Sequence, residues 1–129
     1  MLKQSIILFF GMFFYSVMSA QKFTPDSLSL KTDTATLITI CDCQDAFIQY
    51  GKEQYSILVE VKRVGKNSEE AIKLNDVYIL RLGIHHKIYT KCFSIYQNDR
   101  YSASKCPHYE EGEELDRKMS AIQKELGMN

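Results

Sequence analysis

Residues 41–70 read CDCQDAFIQYGKEQYSILVEVKRVGKNSEE, and this stretch decides the fold. From Asp45 onward its apolar residues recur every three or four positions, which places them on one face of a helix. These residues are Ala46, Phe47, Tyr50, Ile57, Leu58, Val61 and Val64. Gly65 follows directly and is typical of a residue that ends a helix in a left-handed conformation. The stretch therefore predicts a first helix over residues 45–64.

The residues after Gly65 predict the start of a second helix. Asn67 is an N-cap residue, and Glu70 follows at the spacing of a capping box. The apolar face then continues at Leu74, Val77, Tyr78, Ile84, Ile88, Cys92 and Ile95. Arg81 interrupts this face, which ends near Asn98. We expect one helix from the cap to about Asn98.

An alternative interpretation makes residues 55–64 and 77–96 into β-strands. Both stretches are rich in Val, Ile and Tyr, which favour pleated surfaces, and the protein would then be α+β with a small antiparallel sheet. Adjacent apolar residues such as Ile79 and Leu80 would point to opposite faces of a strand, so the alternation of a half-buried strand is not sustained. Together with the capping signal, this favours an all-α fold.

A third, short helix is predicted at the C-terminus. Leu115, Met119, Ile122 and Leu126 are spaced by four, three and four residues within a charged surround. Glu110, Glu111, Glu113 and Glu114 precede them, and acidic residues stabilise the start of a helix through its dipole. Gly127 follows as the expected stop.

The first two helices are expected to form an antiparallel hairpin about a turn near Asn67. In such a hairpin, residues at equal distances from the turn face one another. Gly51 and Gly83 lie at equal distances from Asn67, so the register predicts that the two backbones approach closely there. Each glycine costs roughly 1 kcal/mol relative to alanine inside a helix. The alternative is that the matching positions are a coincidence and that each glycine marks a kink.

The four cysteines are expected to form two disulfides that staple the open end of the hairpin. In the hairpin register, Cys92 faces the start of the first helix, where Cys41 and Cys43 lie. The preferred pairing is Cys43 with Cys92 and Cys41 with Cys106, and the swapped pairing is the alternative. A closed loop of about fifty residues contributes roughly 4 kcal/mol in the chain-entropy model.

Two other chemistries are open to the same four cysteines. They could bind zinc, with His108 as a further ligand, although one residue between Cys41 and Cys43 is a poor match to structural zinc pairs. They could also act in thiol redox chemistry, although the thioredoxin-type motif has two residues between its cysteines. Disulfides are favoured over both, and no cofactor or metal site is expected.

The N-terminus predicts export. Lys3 precedes an apolar run over residues 6–18, and the small residues Ser19 and Ala20 follow, which is the order of a secretory signal peptide. Thirteen residues span only about 20 Å as a helix, which is too short to cross a bilayer of roughly 30 Å. We therefore expect a signal peptide over 1–20, a flexible leader over 21–40 and a small helical domain over 41–129, secreted or periplasmic and without a membrane span after cleavage.

Composition argues against several classes of function. The chain has 16 basic and 16 acidic residues with the signs interspersed, so no basic surface for nucleic acid is expected. The sequence carries no G-x-S-x-G, H-E-x-x-H, phosphate-binding glycine loop or haem-attachment motif. The leading hypothesis is an exported, non-catalytic protein that acts by binding or structural association, with another exported protein as its partner. The alternative is a thiol-redox or metal-binding protein that uses Cys41, Cys43, Cys92 and Cys106.

Overall fold

The computed structural model describes residues 32–98 and 103–128, and these residues form four α-helices. The helices are α1 (Ile40–Val64), α2 (Glu69–Leu80), α3 (Leu82–Asn98) and α4 (Tyr109–Leu126), with a short 3-10 helix (Ala103–Lys105) before α4. Within the described ranges there is no β-strand, so the all-α prediction is confirmed and the sheet alternative is wrong. α1 packs against α2 and α3, which form the returning arm of the hairpin, and against α4.

α1 begins five residues earlier than the apolar pattern predicts. Thr39 is the N-cap, and its hydroxyl accepts a hydrogen bond from the backbone N–H of Asp42. The carboxylate of Asp42 accepts in turn from the N–H groups of Thr39 (2.8 Å) and Ile38 (3.1 Å), and these bonds lower the pKa of Asp42. Leu37 and Ile40 are buried. Residues 21–31 of the predicted leader lie outside the described residues, and the part of it that is described caps α1 and packs on the fold.

The turn between α1 and α2 forms where the sequence places it. Gly65 has a positive φ of 91°, a conformation that favours glycine, and it ends α1 as predicted. The N-cap of α2 is Ser68 rather than Asn67, because the Ser68 hydroxyl accepts from the N–H of Ala71 at 3.0 Å. Residue N3 is then Ala71, which has no side-chain acceptor, so the capping box predicted for Asn67 and Glu70 does not form.

The returning arm is two helices rather than the single helix that was predicted. The break lies at Arg81, between Leu80 and Leu82. In a continuous helix the carbonyl of Tyr78 would accept from the N–H of Leu82, but here the side-chain amide of Gln54 on α1 donates to it at 3.1 Å. A side chain that enters the backbone hydrogen-bond ladder is a known cause of helix breaks.

α4 forms over the predicted residues, although it is not short. It has 18 residues and ends at Gly127, which adopts the left-handed conformation (φ 71°, ψ 32°) expected of a helix stop. Of its predicted apolar stripe, Ile122 is buried, and Leu115, Met119 and Leu126 are half-buried.

The close approach at Gly51 involves α4 and not Gly83. A Cβ atom added to Gly51 would lie 2.8 Å from Cδ2 of Leu115 on α4, whereas one added to Gly83 would meet nothing within 4 Å. The predicted Gly51–Gly83 contact is therefore wrong. Gly51 lies on the side of α1 that faces α4, so the hairpin register placed it correctly along the helix but on the wrong face.

Two clusters of buried side chains lie in the interior. The turn-end core, near the α1–α2 turn, contains Ile57, Val61, Ala71 and Leu74, with Val64, Val77, Tyr78 and Leu126 packed against it. The cysteine-end core, at the other end of α1, contains Leu37, Cys43, Ile84, Ile88 and Cys92, with Ala46, Phe47, Tyr50, Ile95 and Tyr96 packed against it. Both cores therefore use α1 as their common element.

The predicted signal peptide over 1–20 lies outside the described residues. Among the helices that are described, none has the length and apolar character needed to cross a bilayer.

Candidate functional site

The four cysteines form two disulfides, Cys41–Cys106 and Cys43–Cys92, with Cα atoms 5.4 Å and 6.0 Å apart. This is the pairing that the hairpin register favours over the swapped one. Residues two positions apart on a helix point about 200° apart around its axis. The two bonds therefore leave α1 on opposite sides, one toward α3 and the other toward the segment that leads into α4.

The surroundings of these bonds are those of structural disulfides. Cys43 and Cys92 are fully buried, which keeps an attacking thiolate away from the bond between them. In the second bond Cys106 is buried and Cys41 is half-buried. All cysteines in the described ranges are paired, and a sulfur atom in a disulfide is not a thiolate ligand for zinc. His108, the further zinc ligand considered above, lies with Nδ1 2.9 Å from a carboxylate oxygen of Asp45. In the described part of the chain, no group of three or more His, Cys, Asp or Glu residues could hold a metal ion.

Three neighbouring cavities share Phe47 of α1 as a lining residue, and we call them together the aromatic groove. Phe47, Tyr50 and Gly51 of α1 form its floor. The cavities of about 550 and 160 Å³ lie toward α4, and the cavity of about 400 Å³ lies along α3. The α3 side is lined by Leu82, His85, Tyr89, Phe93 and Tyr96, and the α4 side by Tyr109, Gly112, Glu113, Leu115, Asp116, Met119 and Gln123.

Aromatic rings form a connected series along the α3 side of this groove. The ring of His85 lies 5.3 Å from that of Phe47 and 6.5 Å from that of Tyr89, centroid to centroid, and it stacks on Tyr89. Tyr89 in turn contacts Phe93 at 5.7 Å. Tyr89 and Phe93 are 50% and 47% exposed. Exposed apolar surface that is contiguous and lines a groove is typical of a binding site.

At its turn end the groove is closed by polar contacts between α2 and α4. The side-chain amide of Gln123 on α4 donates to the hydroxyl of Tyr78 on α2 at 3.2 Å. Leu126 packs on the turn-end core just beyond this bond. α4 therefore lies against α2 near its C-terminus, whereas the groove separates it from α3 nearer its N-terminus.

The smallest part of the groove has an acidic lining, and we call it the acidic end. Glu113 and Asp116 lie three residues apart on α4, which places them on one face of the helix. Gln44 of α1 lies opposite, and its side-chain oxygen is buried without a hydrogen-bond partner in the described residues. Phe47 and Tyr96, whose rings are 6.5 Å apart, line the same cavity. The acidic end therefore combines hydrogen-bond acceptors with aromatic walls.

Beneath the groove, Arg81 holds the two arms of the hairpin together. Its side chain is 0% exposed. It donates to the side-chain oxygen of Gln54 at 3.0 Å and forms an ion pair with Glu53, both on α1. The guanidinium also lies 5.8 Å from the ring centroid of Tyr50 on the groove floor. Paired in this way, a buried arginine satisfies its hydrogen bonds while it fixes the register of the arms.

Tyr50 connects this buried network to the groove. Burial, with a smaller contribution from the neighbouring Tyr78, raises the pKa of Tyr50 to about 12. Arg81 and a hydrogen bond with Gln54 act in the opposite direction without cancelling the effect of burial. The phenol therefore stays neutral at physiological pH and offers the groove an uncharged polar group.

Sequence reasoning identified the cysteines but not the groove. Phe47 and Tyr50 were assigned to the buried face of α1, and Tyr89, Phe93 and Tyr96 were given no role. The available signal was the width of the apolar face of α3, where Leu82, Tyr89 and Phe93 extend beyond the positions that α1 can cover. Arg81 was noted only as an interruption of the apolar face.

No protein-family model, curated protein or solved structure matches this chain. The site must therefore be interpreted from its own geometry.

Proposed function

We propose that this protein is an exported, non-catalytic binding protein whose aromatic groove takes up an apolar segment of another exported protein. The observation that carries this proposal is the groove itself, in which Tyr89 and Phe93 stay half-exposed beside the larger cavities. Small monomeric domains rarely leave contiguous aromatic surface uncovered without a partner. An amphipathic helix laid in an apolar groove is a common mode of peptide recognition.

Export is supported by two separate features. The first twenty residues have the order of charge, apolar run and small residues of a signal peptide. Two disulfides in a small domain are consistent with an oxidising compartment. We expect the secreted protein to begin at Gln21, and to be lighter than its fully reduced form by the four hydrogens lost in forming two disulfides. Intact-mass measurement before and after reduction tests both expectations.

The binding role is tested with paired surface variants. A Tyr89→Ala, Phe93→Ala double variant removes exposed rings, so we expect its free energy of unfolding to stay within about 1 kcal/mol of wild type while partner capture is lost. The matched control is Ile72→Ala with Ile79→Ala on α2, which removes apolar side chains of 59% and 53% exposure that do not line the aromatic groove.

The capture experiment uses the mature protein carrying a photo-cross-linking residue in place of Gln97, which lies at the edge of the aromatic groove, in the compartment to which it is exported. Wild type and the α2 control should give the same cross-linked product, and the α3 double variant should not. A product that forms equally with all three proteins would refute the groove as the binding site. Hydrolytic or thiol-exchange turnover by the purified mature protein would refute the non-catalytic role.

The alternative use of the cysteines in redox or metal chemistry is not favoured by any observation at the site. The buried Cys43–Cys92 bond packs inside the cysteine-end core, and its two half-cystines come from different helices. We therefore assign the disulfides a structural role within this proposal.

A further inference from the structure

The acidic residues of α4 differ in what they contact. Glu111 forms an ion pair with Lys52, and Glu114 forms one with Arg117, both on exposed surface away from the aromatic groove. Glu113 and Asp116 line the groove, and neither has an ion pair or side-chain hydrogen bond within the described residues. The negative charge that faces the groove is thus left uncompensated by the protein.

A second, independent observation comes from α1. Gln44 lines the same cavity, and its side-chain oxygen is buried and accepts no hydrogen bond from any described residue. A buried acceptor without a donor is destabilising, because it has lost its hydrogen bonds to water and gained none in the protein. Glu113 and Asp116 therefore present two carboxylates to one small cavity, and the wall of that cavity contains an unpaired oxygen.

The volume and the lining of the cavity restrict which hydrogen-bond donor can occupy it. Its volume is about 160 Å³, about five waters at ~30 Å³ each, which suits one long side chain. Phe47 and Tyr96 give the cavity aromatic walls, and the face of an aromatic ring attracts a cation. A lysine or arginine side chain combines a positive charge, several N–H donors and an apolar stem that packs on aromatic rings.

We propose that the occupant of the aromatic groove is a protein segment that inserts one lysine or arginine side chain into the acidic end. Its neighbouring apolar side chains lie in the larger cavities, against Tyr50, Leu82 and Phe93. The inference rests on the proposed function, since it specifies what the same groove binds. It excludes an occupant that is acidic or wholly apolar.

The test begins with peptide display on the mature, disulfide-bonded protein. A library of random peptides is selected for binding to wild type, and in parallel to the Glu113→Gln, Asp116→Asn double variant. Peptides enriched on wild type should carry a lysine or arginine flanked by apolar residues. The same peptides should not be enriched on the double variant.

The best peptide is then synthesised in two forms that differ only at the basic residue, one with arginine and one with citrulline, its neutral isostere. Because hydrogen bonds between charged groups are stronger than neutral ones, wild type should bind the arginine form at least about tenfold more tightly. The difference should fall to about twofold in the double variant. It should be retained in the control variant Glu110→Gln, which removes an acid of α4 that does not line the groove.

The possible outcomes distinguish failure of this inference from failure of the proposed function. Equal affinity of wild type for the two peptides, or enrichment of acidic or purely apolar sequences, overturns the basic occupant while binding in the groove stands. Binding of arginine amide alone as tightly as the peptide overturns the protein segment. If no peptide is enriched, or if all enriched peptides bind Tyr89→Ala, Phe93→Ala as tightly as wild type, the proposed function fails as well. Even if the double variant does not fold, comparing the arginine and citrulline peptides on wild type shows whether the groove binds a basic side chain.

Discussion

At the turn end of the hairpin, Ile57, Val61 and Leu74 pack into a core that α4 contacts through Leu126. A cavity of about 380 Å³ lies at this end and is lined mainly by α1 and α2, with Leu126 and Met128. At the cysteine end, the hairpin arms and the start of α4 are joined by two disulfides, and a groove remains open between α3 and α4. Burial of apolar side chains holds the turn end, and it requires the helices to be in contact. Disulfide bonds at the cysteine end can also hold helices that are not in contact. The aromatic groove lies at the end where disulfides hold the helices in addition to apolar packing.

The largest expected effect comes from removing the bridge inside the cysteine-end core. A Cys43→Ala, Cys92→Ala double variant opens a loop with a sequence separation of 49 residues, which lowers the free energy of unfolding by about 4 kcal/mol in the chain-entropy model. Urea unfolding followed by circular dichroism measures the loss. Amide exchange should accelerate around Ile84 and Ile88 more than around Ile57 and Leu74. Equal acceleration of amide exchange at both ends would show that this disulfide does not stabilise the cysteine end selectively.

The next largest effect is expected at the boundary between the two ends, where Arg81 is buried. Arg81→Met leaves Gln54 without its donor and Glu53 without its counter-charge, so the free energy of unfolding should fall by about 3 kcal/mol. Replacing Gln54 by methionine as well should cost less than the sum of the two single losses, because the Arg81–Gln54 bond is counted in both, although Glu53 still lacks its counter-charge and the carbonyl of Tyr78 loses its donor. A double-mutant cycle measured by urea unfolding provides the test. Additive losses would show that Arg81 and Gln54 do not act as a pair.

A smaller effect distinguishes the two glycines of the hairpin. Gly83→Ala adds a methyl group to open space, so it should stabilise the protein by about 0.5–1 kcal/mol through helix propensity. Gly51→Ala gains the same propensity but presses on Leu115 of α4, so its net effect should be less favourable than that of Gly83→Ala. Thermal unfolding of the two variants measures the difference. Equal stabilisation would mean that α4 does not approach α1 closely at Gly51.

The smallest effect is a shift in the titration of Tyr50. Its pKa of about 12, against an ordinary value of 10.0, arises mainly from burial. Folding therefore favours the neutral phenol. The stability that this gives is fully present below pH 10, and it is lost as the pH rises to about 12. The difference in tyrosinate absorbance between wild type and Tyr50→Phe should show a midpoint near pH 12, and a midpoint near pH 10 would show that water reaches the groove floor freely.

Much of the fold follows from local patterns in the sequence. The apolar spacing of α1, the stop at Gly65 and the stripe of α4 are set by neighbouring residues, so each could be located without knowledge of the rest. The hairpin register then favoured Cys43–Cys92, because distance from the turn determines which residues face each other. The Gly51–Gly83 contact failed because a register specifies height along a helix but not the direction in which a residue points.

The break at Arg81 and the groove depend on contacts between residues distant in the chain. Arg81 is buried because Glu53 and Gln54 of α1 meet it, and nothing near Arg81 in the sequence reveals them. The groove exists because α3 and α4 pack on different sides of α1. Periodicity describes one helix at a time and cannot show that two helices leave a space between them.

The single residue between Cys41 and Cys43 has a mechanical consequence for recognition. Because the two disulfides leave one helix in opposing directions, each wall of the aromatic groove is tied to α1 at the cysteine end, which limits changes in the width of the groove there. A partner segment would bind to a groove whose width is already set, so this protein would lose little conformational entropy on binding. The association rate should then depend on diffusional encounter and on ordering of the partner segment, without a slow opening step in this protein.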